Sequence, residues 1–298
     1  MTTASDLIES TRGHLFTGQP ENLNRLASGI TAITETIPLS YDITGIGRGT
    51  IIEIGLEQIF VFVVDSSSKT VTACIRGYNG TTGAIGTTGD RVTVSPKFPR
   101  ARVLTAINDD LADLSSPMNG LYRTLSVDLT FNAAVMGYDL TGVIGMMGIS
   151  DLRYRTIGPE KSWPQINNYA VLRNMPTSDF ASGSALVLYE GGSPGQTVRV
   201  TYQAPFTSLA TLADDVLAIS GLSATAHDIP PLGAAVRLAA GREVRRNFDE
   251  AQGEPRRAEE VPPQANAQAT RELVRLRQQR IVAEQSRLLQ RYGYEMVG

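Results

Sequence analysis

A Gly- and Thr-rich stretch, residues 76–92, lies between two short apolar runs, 71–75 and 92–94. The Asn79-Gly80 dipeptide between strand-like residues predicts a two-residue hairpin turn, because a type I′ turn needs positive φ at both central positions. We therefore expect 76–92 to be the closing hairpin of a β module, with Asn79 and Gly80 exposed at its tip as candidates for subunit contact. No Lys-Ser or Lys-Thr pair follows the glycines, so the stretch does not have the pattern of a phosphate-binding loop.

The first hundred residues change pattern once. Residues 1–29 are predicted to be N-terminal helices, with a break at Gly18-Gln19-Pro20 and a second short helix over 21–27 that begins after Pro20. Residues 30–99 contain short β-forming runs separated by Gly, Asp and Ser clusters, a spacing typical of a small β barrel or sandwich. The strands predicted there are 30–37, 50–54, 59–64, 71–75 and 92–94.

The middle of the chain is predicted to be a helix followed by a second β module. Residues 100–116 form a linking helix, because Leu104, Ile107, Leu111 and Leu114 recur on one helical face. Residues 121–204 contain repeated short strands and turn signals, which predicts an antiparallel β-sandwich with strands at 125–131, 152–157, 170–172, 185–189 and 198–202. The predicted fold class is α+β, with two antiparallel β modules, a helical N terminus, a linking helix and a helical C-terminal region.

The C-terminal region is rich in arginine and divides into three parts. Residues 205–252 are predicted to be a helical segment (207–220, then 231–250), residues 253–264 a Pro-rich extended arm, and residues 265–298 a C-terminal helix. The apolar stripe of this last helix needs a partner surface. Its candidate subunit-contact residues are Val274, Arg277, Ile281, Leu288 and Tyr292.

The supply of catalytic groups is small. The chain has one cysteine, Cys74, and two histidines, His14 and His227, and neither histidine has a partner at the spacing of a metal site or a catalytic triad. Asp109-Asp110 and Asp214-Asp215 are adjacent pairs whose side chains point in different directions on a helix, so we interpret them as solvated or capping residues. We predict no catalytic residue, no cofactor and no metal, and hence no enzyme; a hydrolase or lyase with an unrecognised site is a third hypothesis.

Charge and hydropathy narrow the possible partners. The formal net charge is −3, which argues against a dedicated nucleic-acid binder. There is no secretion signal, and the longest apolar run, 59–64, is too short to cross a membrane, so we predict a soluble protein without a membrane partner. Arg280 and Glu284 are four residues apart and are expected to pair within the last helix.

Trp163 supports an alternative function. Together with the tyrosines of the second β module, it could form a surface on which sugars stack. This alternative is a minor tail or host-recognition protein that binds cell-surface glycan, whereas the other interpretation of Trp163 is that it packs within its own module.

One segment resembles a recurring sequence pattern in structural proteins of tailed bacteriophages. It consists of Arg76-Gly77-Tyr78-Asn79-Gly80-Thr81-Thr82 and the glycine-closed strand that follows. The resemblance continues in three later segments, which are Ala106-Ile107-Asn108-Asp109-Asp110-Leu111, Leu152-Arg153-Tyr154-Arg155-Thr156 and Arg199-Val200-Thr201-Tyr202. Asp228-Ile229-Pro230-Pro231-Leu232 leads into Arg-rich helices, as in neck or minor tail proteins of siphophages. Some of those proteins carry a histidine near the position of Ile85-Gly86; its absence here argues against a metal role.

The resemblance implies a non-enzymatic virion component at the head–tail junction, assembled in the host cytoplasm as a homo-oligomeric ring beneath the portal. Its partners would be the portal and other neck or tail proteins. The protein would contact genomic DNA only during its passage through the lumen of the ring, where the mildly acidic charge of the protein reduces nonspecific adsorption of DNA.

Overall fold

The computed structural model describes residues 1–15, 21–143, 145–159, 162–189, 192–239 and 265–291. The chain divides into two compact units. Unit 1 comprises residues 1–113 and the described part of 207–298, and unit 2 comprises residues 114–206. Helices and antiparallel sheets are both present, which confirms the predicted α+β class.

The helices described lie mainly in unit 1. They are α1 (Ala4–Leu15), α2 (Arg100–Leu114), α3 (residues 229–239) and α4 (Ala265–Arg291). Short helical turns occur at Tyr78–Gly80, Val216–Ser220 and Ala224–Ala226. None of the helices in the ranges given above is both long and apolar enough to cross a lipid bilayer.

Unit 1 contains a six-stranded antiparallel sheet in the order β1-β6-β3-β4-β5-β2. The strands are β1 (Asn22–Arg25), β2 (Ile37–Pro38), β3 (Ile51–Ile54), β4 (Glu57–Asp65), β5 (Thr70–Ile75) and β6 (Arg91–Val94). The sheet curls until its two edges meet, where Ala27 N donates to Pro38 O and Ser40 N donates to Arg25 O. Closure pairs backbone groups that an open sheet would leave at its edges.

The core of this sheet is aliphatic. Ile52, Ile59, Val61 and Val71 are fully buried inside the curl, as expected for strands that place alternate residues on one face. Burial of this apolar surface is the main stabilising contribution to the module.

Unit 2 contains two three-stranded antiparallel sheets, in the orders β7-β12-β9 and β10-β11-β8. The strands are β7 (Arg123–Thr130), β8 (Gly137–Asp139), β9 (Gly148–Tyr154), β10 (Tyr169–Arg173), β11 (Ser184–Leu188) and β12 (Thr197–Ala204). Apolar residues of both sheets, among them Leu152, Leu186 and Val200, form one buried cluster. Two sheets enclosing one core is the arrangement of a β-sandwich. The short strand β8 has no counterpart among the predicted strands.

The predicted hairpin at Asn79-Gly80 is wrong. Strands β5 and β6 are not neighbours, since β6 lies between β1 and β3. The tight hairpin of the module lies instead at Gly55, where Ile54 of β3 pairs with Glu57 of β4 and Gly55 has φ 60°. Asn79 does adopt positive φ, 54°, but within a short helical turn.

Two predicted helices are also corrected. Residues 22–25 are strand β1 rather than part of a helix over 21–27, because they pair with β6 and because the Asn24 carboxamide bonds the backbone of Tyr41 and Asp42. Of the helix predicted over 207–220, only Val216–Ser220 is helical. Three predicted features lie outside the described residues: the arm at 253–264, part of the helix over 231–250, and Tyr292.

Candidate assembly surfaces

Glu57 and Arg76 form a buried, bidentate ion pair at the start of the Gly/Thr-rich stretch. Arg76 Nε donates to Glu57 Oε1 at 2.7 Å, and Nη2 donates to Oε2 at 2.6 Å. The backbone N–H groups of Gly77 and Ala84 donate to the same carboxylate, each at 2.9 Å. Glu57 is only 1% exposed, so its charge is stabilised by four donors instead of by water.

The remaining N–H groups of Arg76 hold two loops. Nη1 donates to the carbonyl oxygens of Thr31 and Thr34, both at 2.7 Å, and Nη2 also donates to Ala84 O at 2.7 Å. All five donors of the guanidinium are thereby used. A lysine could not reproduce this planar set of contacts.

The glycines of the stretch are required by close approach of backbones. A Cβ on Gly77, which has φ 63°, would lie 2.7 Å from Thr81 O, and a Cβ on Gly83 would lie 2.5 Å from Ala32 O. Both distances are far below a normal van der Waals contact, so these positions accept no side chain without backbone movement.

Asn79 and Gly80, the two contact candidates of this stretch, lie exposed on the surface. Asn79 Nδ2 donates to Gln58 Oε1 at 2.8 Å, and Thr81 Oγ1 accepts from Gln58 N at 3.0 Å. The turn is thus anchored to β4, and its polar side chains are used to hold it there.

Ile33 and Ile85 are 85% and 77% exposed and lie in the two loops that Arg76 holds. Ile33 lies between Thr31 and Thr34, and Ile85 follows Ala84. Antiparallel bridging of Ile30 and Gly86, with mutual N–H···O bonds of 2.9 and 3.0 Å, keeps these backbones side by side. We call these two exposed side chains on neighbouring loops the Ile33–Ile85 surface.

Arginine–carboxylate pairs fasten helix α4 to the rest of unit 1. Arg277 Nη2 lies 2.9 Å from Asp110 Oδ1 and 2.6 Å from Asp113 Oδ2, both on α2. Arg280 makes a bidentate pair with Asp228 at 2.5 and 3.0 Å and donates to Thr225 O at 2.8 Å. The direct ion pair of Arg280 is thus with Asp228, while Glu284, the partner predicted from the sequence, interacts with Arg280 through a charge attraction that helps to lower the Glu284 pKa.

Asp110 is the buried centre of this contact. It is 1% exposed, and burial raises its pKa to about 6 although Arg277 and Arg237 act to lower it. A Cβ on Gly233 of α3 would lie 1.9 Å from Asp110 Oδ1, so α3 approaches α2 closely only because residue 233 is glycine. The prediction of a solvated Asp109-Asp110 pair is therefore wrong for Asp110.

The buried face of α4 includes Ile281, which is fully buried, and Glu284, which is 4% exposed. Glu284 pairs with Arg287 and accepts from Thr225 Oγ1 at 3.1 Å; the hydrogen bond from Arg287 is the main cause that lowers the Glu284 pKa.

The predicted contact residues of α4 therefore separate into two groups. Arg277 and Ile281 make contacts within the chain, and Leu288 is half-buried. Val274 is 48% exposed, and Leu276 and Val282 on the same helix are 38% and 50% exposed. Val274 and Val282, eight positions apart, lie toward the same side of the helix, whereas Leu276, two positions after Val274, points about 200° away from it. We call the surface carrying Val274 and Val282 the exposed side of α4.

A second charge network joins α1 to the sheet and to α2. Glu9 contacts Arg12, Arg91 and Arg100, and Glu21 contacts Arg12 and Arg91. Although partial burial acts to raise the pKa of Glu9, these arginines, Arg100 first, bring it below its usual value.

Glu53 lies beside this network with its carboxylate at the N terminus of α2. Its Oε2 accepts from Arg100 N at 2.6 Å, where a carboxylate complements the helix dipole. Its Oε1 is buried and has no hydrogen-bond partner among the described residues. Burial raises the pKa of Glu53 to about 7, against the lowering effects of Arg100 and Arg12.

The groups that sequence analysis considered for catalysis are dispersed. Cys74 is buried and donates to Glu35 O at 3.0 Å, and burial raises its pKa to about 11, which disfavours the reactive thiolate. His14 is exposed on α1, and His227 Nε2 contacts Leu222 O at 3.1 Å. Within the residues described, His, Cys, Asp and Glu form no group of three or more that could hold a metal ion.

Trp163 lies over the β7-β12-β9 sheet of unit 2. The Arg199 guanidinium is 4.7 Å from its ring centroid, a cation–π distance, and Arg199 also makes a bidentate pair with Asp128 at 2.7 and 2.8 Å. One face of the indole is therefore covered by the protein.

Sequence analysis missed Glu57 and Glu53. Glu53 is the single carboxylate of β3, and Glu57 begins β4, whose other carboxylate, Asp65, is at the far end of the strand. A charged residue in a strand expected to be buried is a detectable signal that it has a buried partner. Comparison of the chain with protein-family models and with curated protein sequences gives no match.

Proposed function

We propose that this chain is a non-enzymatic structural component of a tailed-phage virion at the head–tail junction, forming a ring beneath the portal through protein–protein contacts. The proposal rests on the sequence resemblance of residues 76–92 and on one structural observation. That observation is the Ile33–Ile85 surface, two highly exposed isoleucines on loops held by one buried arginine.

Rigid loops favour assembly because binding need not order them. Fixing flexible side chains and loops on association costs free energy that subtracts from the affinity. Arg76 holds the carbonyl oxygens on both sides of Ile33 and the one preceding Ile85. The loops are thus already ordered in the free chain, and exposed apolar side chains on them supply the contact.

A ring built from identical copies needs two different complementary surfaces on each subunit. The exposed side of α4 is the second candidate. Its Val274 and Val282 are 48% and 50% exposed, while Arg277 and Arg280 project from another side of α4 and fasten the helix. The chain would then present one apolar surface on loops and one on a helix, with the portal and other neck or tail proteins as further partners and DNA met only in transit.

The disposition of the ionisable groups supports a structural role. Glu57, Asp110 and Glu284 are buried, and each is paired with an arginine. Such pairs hold elements together when all donors and acceptors are satisfied.

The glycan-binding alternative receives less support. Sugar stacking on Trp163 would use the indole face, and Arg199 occupies one face at 4.7 Å. Loss of glycan-array binding on Trp163→Ala would favour this alternative over the proposed one.

Surface substitutions combined with imaging test the proposal. The double variant Ile33→Asp/Ile85→Asp should abolish both ring particles in negative-stain images and antibody labelling of virion necks, while Ile157→Asp should retain both. Ile157 is the matched control because it is 71% exposed but lies in unit 2. Circular dichroism verifies that each variant is folded. A wild-type chain that is monomeric at all concentrations and absent from virion necks would refute the proposal.

A further inference from the structure

Strand β7 is an uncovered sheet edge. It is the outermost strand of β7-β12-β9, and its eight residues pair with β12 without any register shift. Among the described residues, no backbone group pairs with its outer side. The opposite edge of the same sheet is covered, since Ile166 N donates to Leu152 O at 2.7 Å and Tyr154 N donates to Pro164 O at 3.1 Å.

Strand β7 lacks most of the features that protect an edge strand. It contains no proline, no lysine and no glycine, and its continuous register excludes a bulge against β12. Its two charged residues are Arg123, at the first position, and Asp128, which is paired with Arg199 of β12. Monomeric proteins generally blunt long edges with such features, because a regular edge presents unpaired N–H and C=O groups to other strands.

The inward side chains of β7 are incompletely buried. Leu125, Val127 and Leu129 pack on the unit 2 core but are only partly buried. Their neighbours on β12, Val198 and Val200, are 1% and 0% exposed. A strand added outside β7 would complete the burial of these three side chains.

The sequence of β7 is nearly palindromic about Val127. Thr124 corresponds to Thr130, Leu125 to Leu129, and Ser126 to Asp128. If two copies of β7 pair antiparallel with Val127 opposite itself, threonine faces threonine, leucine faces leucine, and each Ser126 hydroxyl faces the partner's Asp128 carboxylate. Pairs of these kinds stabilise antiparallel sheets.

We infer that two copies of this chain associate through β7, in a two-fold antiparallel pairing centred on Val127 that makes one continuous six-stranded sheet. The occupant of the edge is a second copy, because the strand is complementary to itself in both its apolar row and its polar row. The inference is independent of the proposed function, since a two-fold contact and the head-to-tail contacts of a ring use different surfaces.

Cysteine cross-linking tests the register in the full-length protein. Across an antiparallel pair, directly opposed Cα atoms are about 4.5–5.5 Å apart, which is within disulfide range. Val127→Cys should therefore give a covalent dimer under mild oxidation. Leu125→Cys should not, because that position faces Leu129 of the other copy. The native Cys74 is buried and is present in both variants, so any cross-linking through it contributes equally to the two measurements.

Charge substitutions at the exposed Ser126 test the same pairing without cross-linking. Ser126→Asp places one carboxylate opposite Asp128 at each of the two symmetric positions. It should weaken dimerisation in sedimentation experiments on the order of tenfold, while Ser126→Lys should strengthen it. Ser150→Asp, an exposed serine on β9, is the control and should leave the dimer unchanged.

Circular dichroism and the fluorescence of Trp163 verify the fold of each variant. A protein that remains monomeric, or a dimer that is indifferent to Ser126 and forms no disulfide through Val127→Cys, overturns the inference.

Discussion

Replacing Glu53 with glutamine should stabilise unit 1 at alkaline pH and change its stability little at acidic pH. Glutamine is nearly isosteric with glutamate, and its side-chain oxygen can still accept from Arg100 N. The substitution therefore removes chiefly the charge of a carboxylate whose Oε1 is buried without a hydrogen-bond partner among the described residues.

The sign follows from proton linkage. The pKa of Glu53 is about 7 in the folded protein against an ordinary value of 4.5, so the folded chain keeps a proton that the unfolded chain releases between these two values. The Glu53 contribution is most favourable below pH 4.5 and is lost as the pH rises toward 7. One pH unit corresponds to about 1.4 kcal/mol, so the ionised side chain costs about 3 kcal/mol above pH 7.

Urea denaturation followed by far-ultraviolet circular dichroism measures the effect, because the helices lie mainly in unit 1. The advantage of Glu53→Gln over wild type should be about 2 kcal/mol larger at about pH 8 than at about pH 5. Trp163 lies in unit 2, so its fluorescence follows the other unit separately.

Glu9→Gln is the matched control within the same network. Arginines lower the pKa of Glu9, so its ionised form is stabilising and Glu9→Gln should destabilise unit 1 at neutral and alkaline pH. A Glu53→Gln effect that is the same at both pH values, or a variant less stable than wild type at about pH 8, would refute the argument that burial dominates at this site.

Three further predictions concern the contacts of unit 1, and urea denaturation measures the change in stability in each. Arg76→Ala should cost about 3–5 kcal/mol because it leaves the buried Glu57 charge without its partner, and Arg76→Lys should not recover wild-type stability; full recovery would show that the bidentate geometry is unimportant. Gly233→Ala should destabilise by about 2 kcal/mol or more, since its Cβ would lie 1.9 Å from Asp110 Oδ1; a neutral effect would contradict close packing of α3 on α2. Ile281→Ala should cost about 2–4 kcal/mol and expose α4 to proteolysis, and unchanged proteolysis would argue that Ile281 does not hold the helix.

Local pattern was sufficient to predict the fold class and most of the strands. Runs such as 59–64 and 71–75 are recognisable because β-branched and aromatic residues favour extended backbone, and the structure has β4 and β5 there. The linking helix was recognisable from the spacing of Leu104, Ile107 and Leu111 on one face.

Which strands are neighbours was decided only by the tertiary structure. Asn79-Gly80 has the local signature of a hairpin, yet β6 follows β5 in the chain without pairing with it, and the loop between them is anchored by the contact of Arg76 with Glu57. No local pattern reports an ion pair between residues 19 positions apart.

The sequence by itself therefore determined the fold class, most of the element types, the aliphatic cores and the scarcity of catalytic groups, because these depend on composition and short-range periodicity. Only the tertiary structure decided that Arg277 and Ile281 contact their own chain, that Asp110 is buried, and that Ile33 and Ile85 lie exposed on neighbouring loops. The physical reason is that burial and ion pairing depend on distances between segments far apart in the chain, and those distances exist only once the chain has folded.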